Sequence, residues 1–194
     1  MENNIDYYIM VQNIIPKDVC DLTVKQIKDK KWKLHGWYNN FGDKSYSEKR
    51  ESVETLDHSF EWEYMNDTSG IMKWINKALG NYIEKLAPHI ERKGLPMVKS
   101  FSLIKFNRYK KDASLRYHID HIHSIFDGQE KGVPILSIVL NLNDDYTGCE
   151  FMCRNKEIKL KKGDILIFPS NFMFPHEVKK CKTGIRYSAI TWAY

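Results

Sequence analysis

No apolar run in the 194 residues approaches the ~18 needed for a membrane-spanning helix. The stretch from Met1 to Asp6 also lacks the basic start and apolar centre of a secretory signal. These absences lead to the expectation of a soluble, cytoplasmic protein with no membrane partner. Cysteine is scarce: Cys20, Cys149, Cys153 and Cys181 are the full set, a number that fits the reduced state of a cytoplasmic chain. Cys149 and Cys153 are close in sequence, but no second such pair exists, which argues against a zinc site. The chain also lacks a long block of one charge. Its net charge is +5, and the clusters at Lys25 to Lys33, Arg108 to Arg116 and Lys179 to Lys182 read as solvated faces rather than as a nucleic-acid surface.

At this length and with 42% hydrophobic residues, the chain suits one domain with a full core. Residues 7 to 15 read as an entry strand. Pro16 and Asp18 then start a helix to about Lys31, with Val19, Leu22 and Ile27 as its buried stripe. From Trp32 to Ser59 polar and aromatic residues mix without clear periodicity, and the part from Trp37 onward is a candidate lid. Between Ser69 and His89 apolar residues recur at three and four (Ile71, Trp74, Ile75, Ala78, Leu79, Tyr82, Ile83, Leu86), the pattern of an amphipathic helix capped by Ser69 and ended by Pro88. That stripe needs a flat partner, and the second half supplies one. From Met97 onward eight short runs rich in β-branched and aromatic residues alternate with turn dipeptides such as Lys162-Gly163 and Thr183-Gly184. The expected architecture is mostly β with flanking helices. Residues 1–97 form the entry strand, helical buttress and candidate lid, and residues 98–194 form a barrel or jelly-roll core.

Within that core, His118-Ile119-Asp120 is followed by His176 and, ten positions later, by Arg186. Side chains two apart on a strand share a face, so His118 and Asp120 can reach one ion from one strand while His176 closes the set from a neighbour. Two imidazoles and one carboxylate on one side of an ion leave positions open for oxygen and a co-substrate, as non-haem Fe(II) sites require. Arg186 is a permanent, planar cation suited to a two-pronged grip on a carboxylate. His121 and His123 form a competing His-x-His pair. Taking them as ligands would turn Asp120 to the opposite face, so they read instead as residues at the mouth, with His121 on the substrate side.

The chain from about residue 98 to 194 resembles the Fe(II)- and 2-oxoglutarate-dependent oxygenase superfamily, and within it the prolyl 4-hydroxylase-like group. The likeness rests on His118, Asp120, His176 and Arg186, and on Arg108-Tyr109 nine residues ahead of His118. It also rests on the segments Ser137 to Phe151 and Lys162 to Pro169, and more weakly on Val11 to Cys20, which is similar to the group's entry strand and first helix. The chain departs from the group at Asn141, where Tyr is frequent, and at Cys149, where a second Gly is frequent. Arg186 itself looks like the oxygen-sensing and microbial branches, since collagen-type members tend to use Lys there. The resemblance implies a double-stranded β-helix, Fe(II) held by His118, Asp120 and His176, and 2-oxoglutarate held by Arg186 and Tyr109. It also implies O2 as co-substrate and allows ascorbate as a reductant. Ser188, two residues along the same strand face, and the amide of Asn141 can add hydrogen bonds to a carboxylate.

The implied activity is hydroxylation of an unactivated C–H bond with release of succinate and CO2, the target being a prolyl residue of a peptide or protein. Trp37, Tyr38, Tyr117 and His121 are the candidate substrate contacts. Two alternatives stay open: the same chemistry on a free amino acid, small metabolite or nucleobase, and a cupin-like module that binds a metal without turnover. A structural metal has no need of a buried arginine ten residues beyond its last ligand, which weighs against the module.

Overall fold

The computed structural model describes residues 5–38, 44–46, 53–55, 70–88, 98–120 and 133–194. The amino-terminal half holds a 3-10 turn (Ile5–Tyr8), β1 (Met10–Asn13), α1 (Lys17–Ile27), β2 (Lys33–Leu34), β3 (Gly36–Tyr38), β4 (Lys44–Tyr46), β5 (Val53–Thr55) and α2 (Ile71–Leu86). Among the described residues, the elements of the second half are all strands: β6 (Lys105–Tyr109), β7 (Leu115–His118), β8 (Leu136–Asn141), β9 (Thr147–Gly148), β10 (Phe151–Cys153), β11 (Lys156–Ile158), β12 (Asp164–Pro169), β13 (His176–Val178), β14 (Cys181–Thr183) and β15 (Arg186–Ala193).

A seven-stranded sheet runs β1-β12-β8-β15-β6-β5-β2, and a four-stranded sheet runs β11-β10-β13-β7. Successive core strands alternate between the two: β6, β8, β12 and β15 join the large sheet, and β7, β10 and β13 the small one. That alternation winds the chain into two facing antiparallel sheets, the double-stranded β-helix the sequence led us to expect. Period two sorts the side chains. On β15, Ala189 and Ala193 face the helices, while Arg186, Ser188, Ile190 and Trp192 face the interior between the sheets. That interior is filled by Val139, Leu166, Phe168 and Ile190 from one sheet and Leu115, Phe151 and Val178 from the other.

The outer face of the large sheet is covered by α2, which buries Ile71, Met72, Ile75, Ala78, Leu79, Tyr82 and Leu86 against Phe106, Ile138, Leu140 and Ile165. Each large side chain taken fully out of water there contributes about 1.5–3 kcal/mol. Polar ends anchor the same helix: the Tyr82 hydroxyl donates to Tyr8 O at 2.8 Å, and Gln12 Nε2 donates to Ala78 O at 2.8 Å. The cap differs from expectation, because Gly70, at φ 67°, is the N-cap with no side-chain bond, and Ser69 lies outside the described residues. The first helix also differs. It ends at Ile27 rather than near Lys31 and buries Cys20, Thr23 and Ile27, while Leu22 is 42% exposed.

Both described edges of the large sheet come from the amino-terminal half: β1 pairs with β12, and β5 pairs with β6 and carries β2 beyond it. Parts of the segment from Trp32 to Ser59 are therefore strands, including the hairpin of β3 and β4. Most of the candidate lid lies outside the described residues. One close approach demands glycine: Gly163, at φ 91°, accepts the N–H of Ile14 and Ile15, and a Cβ there would sit 2.5 Å from Ile15 O.

The reduced state expected of all four cysteines holds for Cys20 and Cys153 and is corrected at Cys149 and Cys181. β14 pairs with β9, opposing Cys181 to Gly148, and this sets Cys149 and Cys181 together as a buried disulfide with a Cα separation of 4.3 Å. The partners are 32 residues apart in sequence, so spacing alone does not reveal them. Closing a loop of that length stabilises by about 2–4 kcal/mol. Replacing both residues by serine is expected to lower the unfolding free energy by that amount in urea titration, and an unchanged midpoint would refute the bridge.

Candidate active site

β7 and β13 are antiparallel neighbours with His118 directly opposite His176. The two ring centroids lie 4.3 Å apart, and Asp120, two residues past the end of β7 at His118, brings its carboxylate near both. Its Oδ1 is 3.8 Å from His118 Nε2 and 3.7 Å from His176 Nε2, too far for hydrogen bonds and open enough for an ion. One donor atom from each of the three residues lies within 4.8 Å of the others, the one such His/Asp set among the described residues. Both rings are pinned by their other nitrogen: His118 Nδ1 meets Arg116 O at 2.7 Å, and His176 Nδ1 meets Phe174 O at 3.1 Å. A carbonyl only accepts, so each Nδ1 carries the proton and each Nε2 keeps its lone pair for a metal. Phe151 stacks on His176 with centroids 5.6 Å apart, and Phe168 meets its edge at 5.0 Å.

The electrostatics suit a divalent cation. Burial, and then the neighbouring His176 ring, push the His118 imidazole down to about 3, although 16% of its side chain stays exposed. Burial by itself would raise Asp120, but His176, His118 and the Ser137 hydroxyl together hold it below the ordinary carboxylate range. Neither group has to lose a proton near neutral pH to bind an ion. Behind Asp120, Ser137 Oγ donates to Oδ2, and Ser137 and Ser170 hydroxyls are 2.7 Å apart. The indole N–H of Trp192 leans toward Asp120 without reaching hydrogen-bond geometry.

Deeper along the interior lies Arg186, 1% exposed. Its Nε donates to Asn141 Oδ1 at 2.9 Å, and its Cζ sits 5.4 Å from the Tyr109 ring, whose residue is its register partner on β6. Both terminal nitrogens, Nη1 and Nη2, are buried with no hydrogen-bond partner. A fixed cation with two orphaned donors is costly alone and calls for a two-oxygen anion. Arg186 lines a cavity of about 200 Å³ with Tyr146, Gly148, Cys149, Phe151 and Ile158. His118, Asp120 and His176 do not line that cavity, but Phe151 belongs to both places, walling the cavity and stacking on His176.

The structure thus brings together His118, Asp120 and His176, and separately Arg186, Tyr109, Asn141 and Ser188, the last opposite Asn141 and Asn107 in register. Asn141 acts on Arg186 directly: its Oδ1 accepts from that guanidinium and from Tyr146 Oη at 3.1 Å, and its amide nitrogen donates to Asn143 O. Tyr117 is 48% exposed on β7. Trp37 and Tyr38 lie on β3, with side chains outside what is described, and His121 is outside the described residues altogether. Sequence reasoning missed Ser137, Ser170 and Phe151. The one available signal was a serine at an inward position of the otherwise apolar run Leu136 to Leu140.

Residues 104–194 match the model of the 2OG-Fe(II) oxygenase superfamily. A PKHD-type hydroxylase of Prochlorococcus marinus (strain MIT 9312) is 34% identical over 123 residues, covering 56% of this chain and 52% of that protein. The chain thus spans about half the length of this relative. Among solved structures, a prolyl hydroxylase from Trichoplax adhaerens, in complex with a hypoxia inducible factor oxygen degradation domain peptide fragment, superposes with TM-score 0.67 at 16% identity, covering 97% of this chain and 84% of that one. The viral collagen prolyl hydroxylase of Paramecium Bursaria Chlorella virus-1, in its 2OG complex, superposes with TM-score 0.65 at 18% identity, covering 96% and 94%. Over residues 104–194 the chain is thus similar to the 2OG-Fe(II) oxygenase superfamily, and its fold is the double-stranded β-helix of these two prolyl hydroxylase structures.

Proposed function

We propose that the protein is an Fe(II)- and 2-oxoglutarate-dependent dioxygenase that hydroxylates a prolyl residue of a peptide or protein, releasing succinate and CO2. The observation that carries this reading is the buried Arg186 guanidinium with two unpartnered nitrogens, in the same interior as a convergent pair of imidazoles and a carboxylate. His118, His176 and Asp120 would hold the iron, the two rings offering Nε2 because Nδ1 is committed to the backbone. Arg186, held in aim by Asn141 and resting over Tyr109, would pair with the remote carboxylate of 2-oxoglutarate, and Ser188 would add a hydroxyl from the same strand face. Phe151 and Phe168 keep water from the back of His176. Once bound, iron, 2-oxoglutarate and O2 supply the oxidising chemistry. The amino-terminal 97 residues are read as part of the same unit, supported by β1 and β5 at the edges of its main sheet.

The peptide target is supported by the likeness in fold to a prolyl hydroxylase solved with a peptide. Succinate release from the iron-loaded protein, measured against proline-containing peptides and free amino acids, is expected to rise with the peptides. Turnover of free amino acids or nucleosides alone would overturn the prolyl assignment and leave the oxygenase chemistry standing. Absence of 2-oxoglutarate binding would instead favour a metal-binding module.

A further inference from the structure

Asp120 lies on no strand; it follows the last residue of β7, yet it must present one oxygen accurately between two imidazoles. What restrains it comes from the opposite sheet. Ser137 on β8, fully buried, donates to Asp120 Oδ2. Ser170, just past β12 and 2% exposed, touches Ser137 Oγ at 2.7 Å. A serine hydroxyl has a single proton and an ionised carboxylate only accepts, so the Ser137 proton points to Asp120 and Ser137 must accept from Ser170. The chain of donors therefore runs one way, from Ser170 to Ser137 to Asp120. Its base is rigid: Ser137 opposes Phe168 in the β8–β12 register, and Ser170 N donates to Ile135 O at 3.0 Å.

We propose that Ser137, oriented by Ser170, is a positioning residue that ties off Asp120 Oδ2 and so presents Oδ1 alone to the metal. The inference rests on the metal site proposed above. With Oδ2 occupied, the carboxylate cannot swing to chelate the ion through both oxygens, and a coordination position stays open for co-substrate. Outer hydrogen-bond partners of metal ligands are worth about 10–100-fold in metal affinity or activity. Hydroxyl cooperativity along the pair strengthens the final bond to the carboxylate.

The test is Mn(II) titration by calorimetry of the whole chain, followed by anaerobic 2-oxoglutarate binding to the Mn(II)-loaded protein. Ser137→Ala is expected to lower Mn(II) affinity about 10-fold or more, Ser170→Ala less, and Ser137→Thr, which keeps the hydroxyl, to stay within about threefold of the parent. A role confined to packing would shift the melting temperature equally for the alanine and threonine variants and leave metal affinity alone. Ser137→Ala binding Mn(II) within about twofold of the parent, while folded by circular dichroism, overturns the proposal. Parent protein and His118→Ala binding Mn(II) equally well would instead remove the metal site, and the relay with it.

Discussion

Replacing Arg186 with alanine is expected to abolish 2-oxoglutarate binding while leaving metal binding intact. The guanidinium is 1% exposed, and Nη1 and Nη2 have no protein partner, so both donors are available to pair with a carboxylate away from bulk water. Losing one partner of a buried charge pair costs about 3–5 kcal/mol, so co-substrate affinity should fall by more than about 100-fold. Arg186→Lys should be intermediate, because an ammonium keeps the charge but not the flat fork that Asn141 now aims. Stability gives an independent readout. Saturating 2-oxoglutarate should raise the melting temperature of the metal-loaded parent by linkage, and the alanine variant should show no such rise. Undiminished 2-oxoglutarate affinity in Arg186→Ala would remove the co-substrate assignment.

The second large effect is expected at the histidines. His118→Ala and His176→Ala should each lose metal by more than the about 10–100-fold typical of an outer partner, because a direct ligand disappears. Turnover should vanish with it. The two differ in what replaces the ring. His118 keeps 16% of its side chain exposed, so water can enter the vacated position, whereas His176, 2% exposed and packed between Phe151 and Phe168, leaves an apolar void. The His176 variant should therefore also be less stable by about 2–4 kcal/mol, and the His118 variant by less. Metal titration with parallel urea unfolding separates the two contributions. Parent-like metal affinity in both variants would mean that other donors hold the ion.

Periodicity made the elements legible because it is local. The stripe from Ile71 to Leu86 announced α2, and runs such as Leu136 to Asn141 and Arg186 to Ala193 announced strands, since a helix or strand repeats its side-chain direction within a few residues. The site residues were legible for a related reason. His118 ends a strand and His176 and Arg186 each open one, so chemistry and alternation together pointed these three inward, whereas Asp120 lies past the end of β7 and reaches His118 and His176 from outside the strand. Where the local signal is weak the reading slipped: α1 buries Cys20 and Thr23 in place of the more apolar Leu22.

Contacts between segments far apart in sequence belonged to the tertiary structure alone. Register places His118 opposite His176, and a one-residue slip would turn every side chain of β7 to the other face, yet no local pattern states which residue opposes which. The disulfide of Cys149 and Cys181 depends on β9 pairing with β14 across 32 residues. The bond from Arg186 to Asn141 crosses 45 residues, and the serine pair behind Asp120 joins β8 to the end of β12. By itself the sequence determined which side chains are candidates for the chemistry and which way a strand turns them, because those depend on residue type and a period of two. Only the folded sheets decided which of them meet, because distances between strands are set by pairing and packing that no single segment contains.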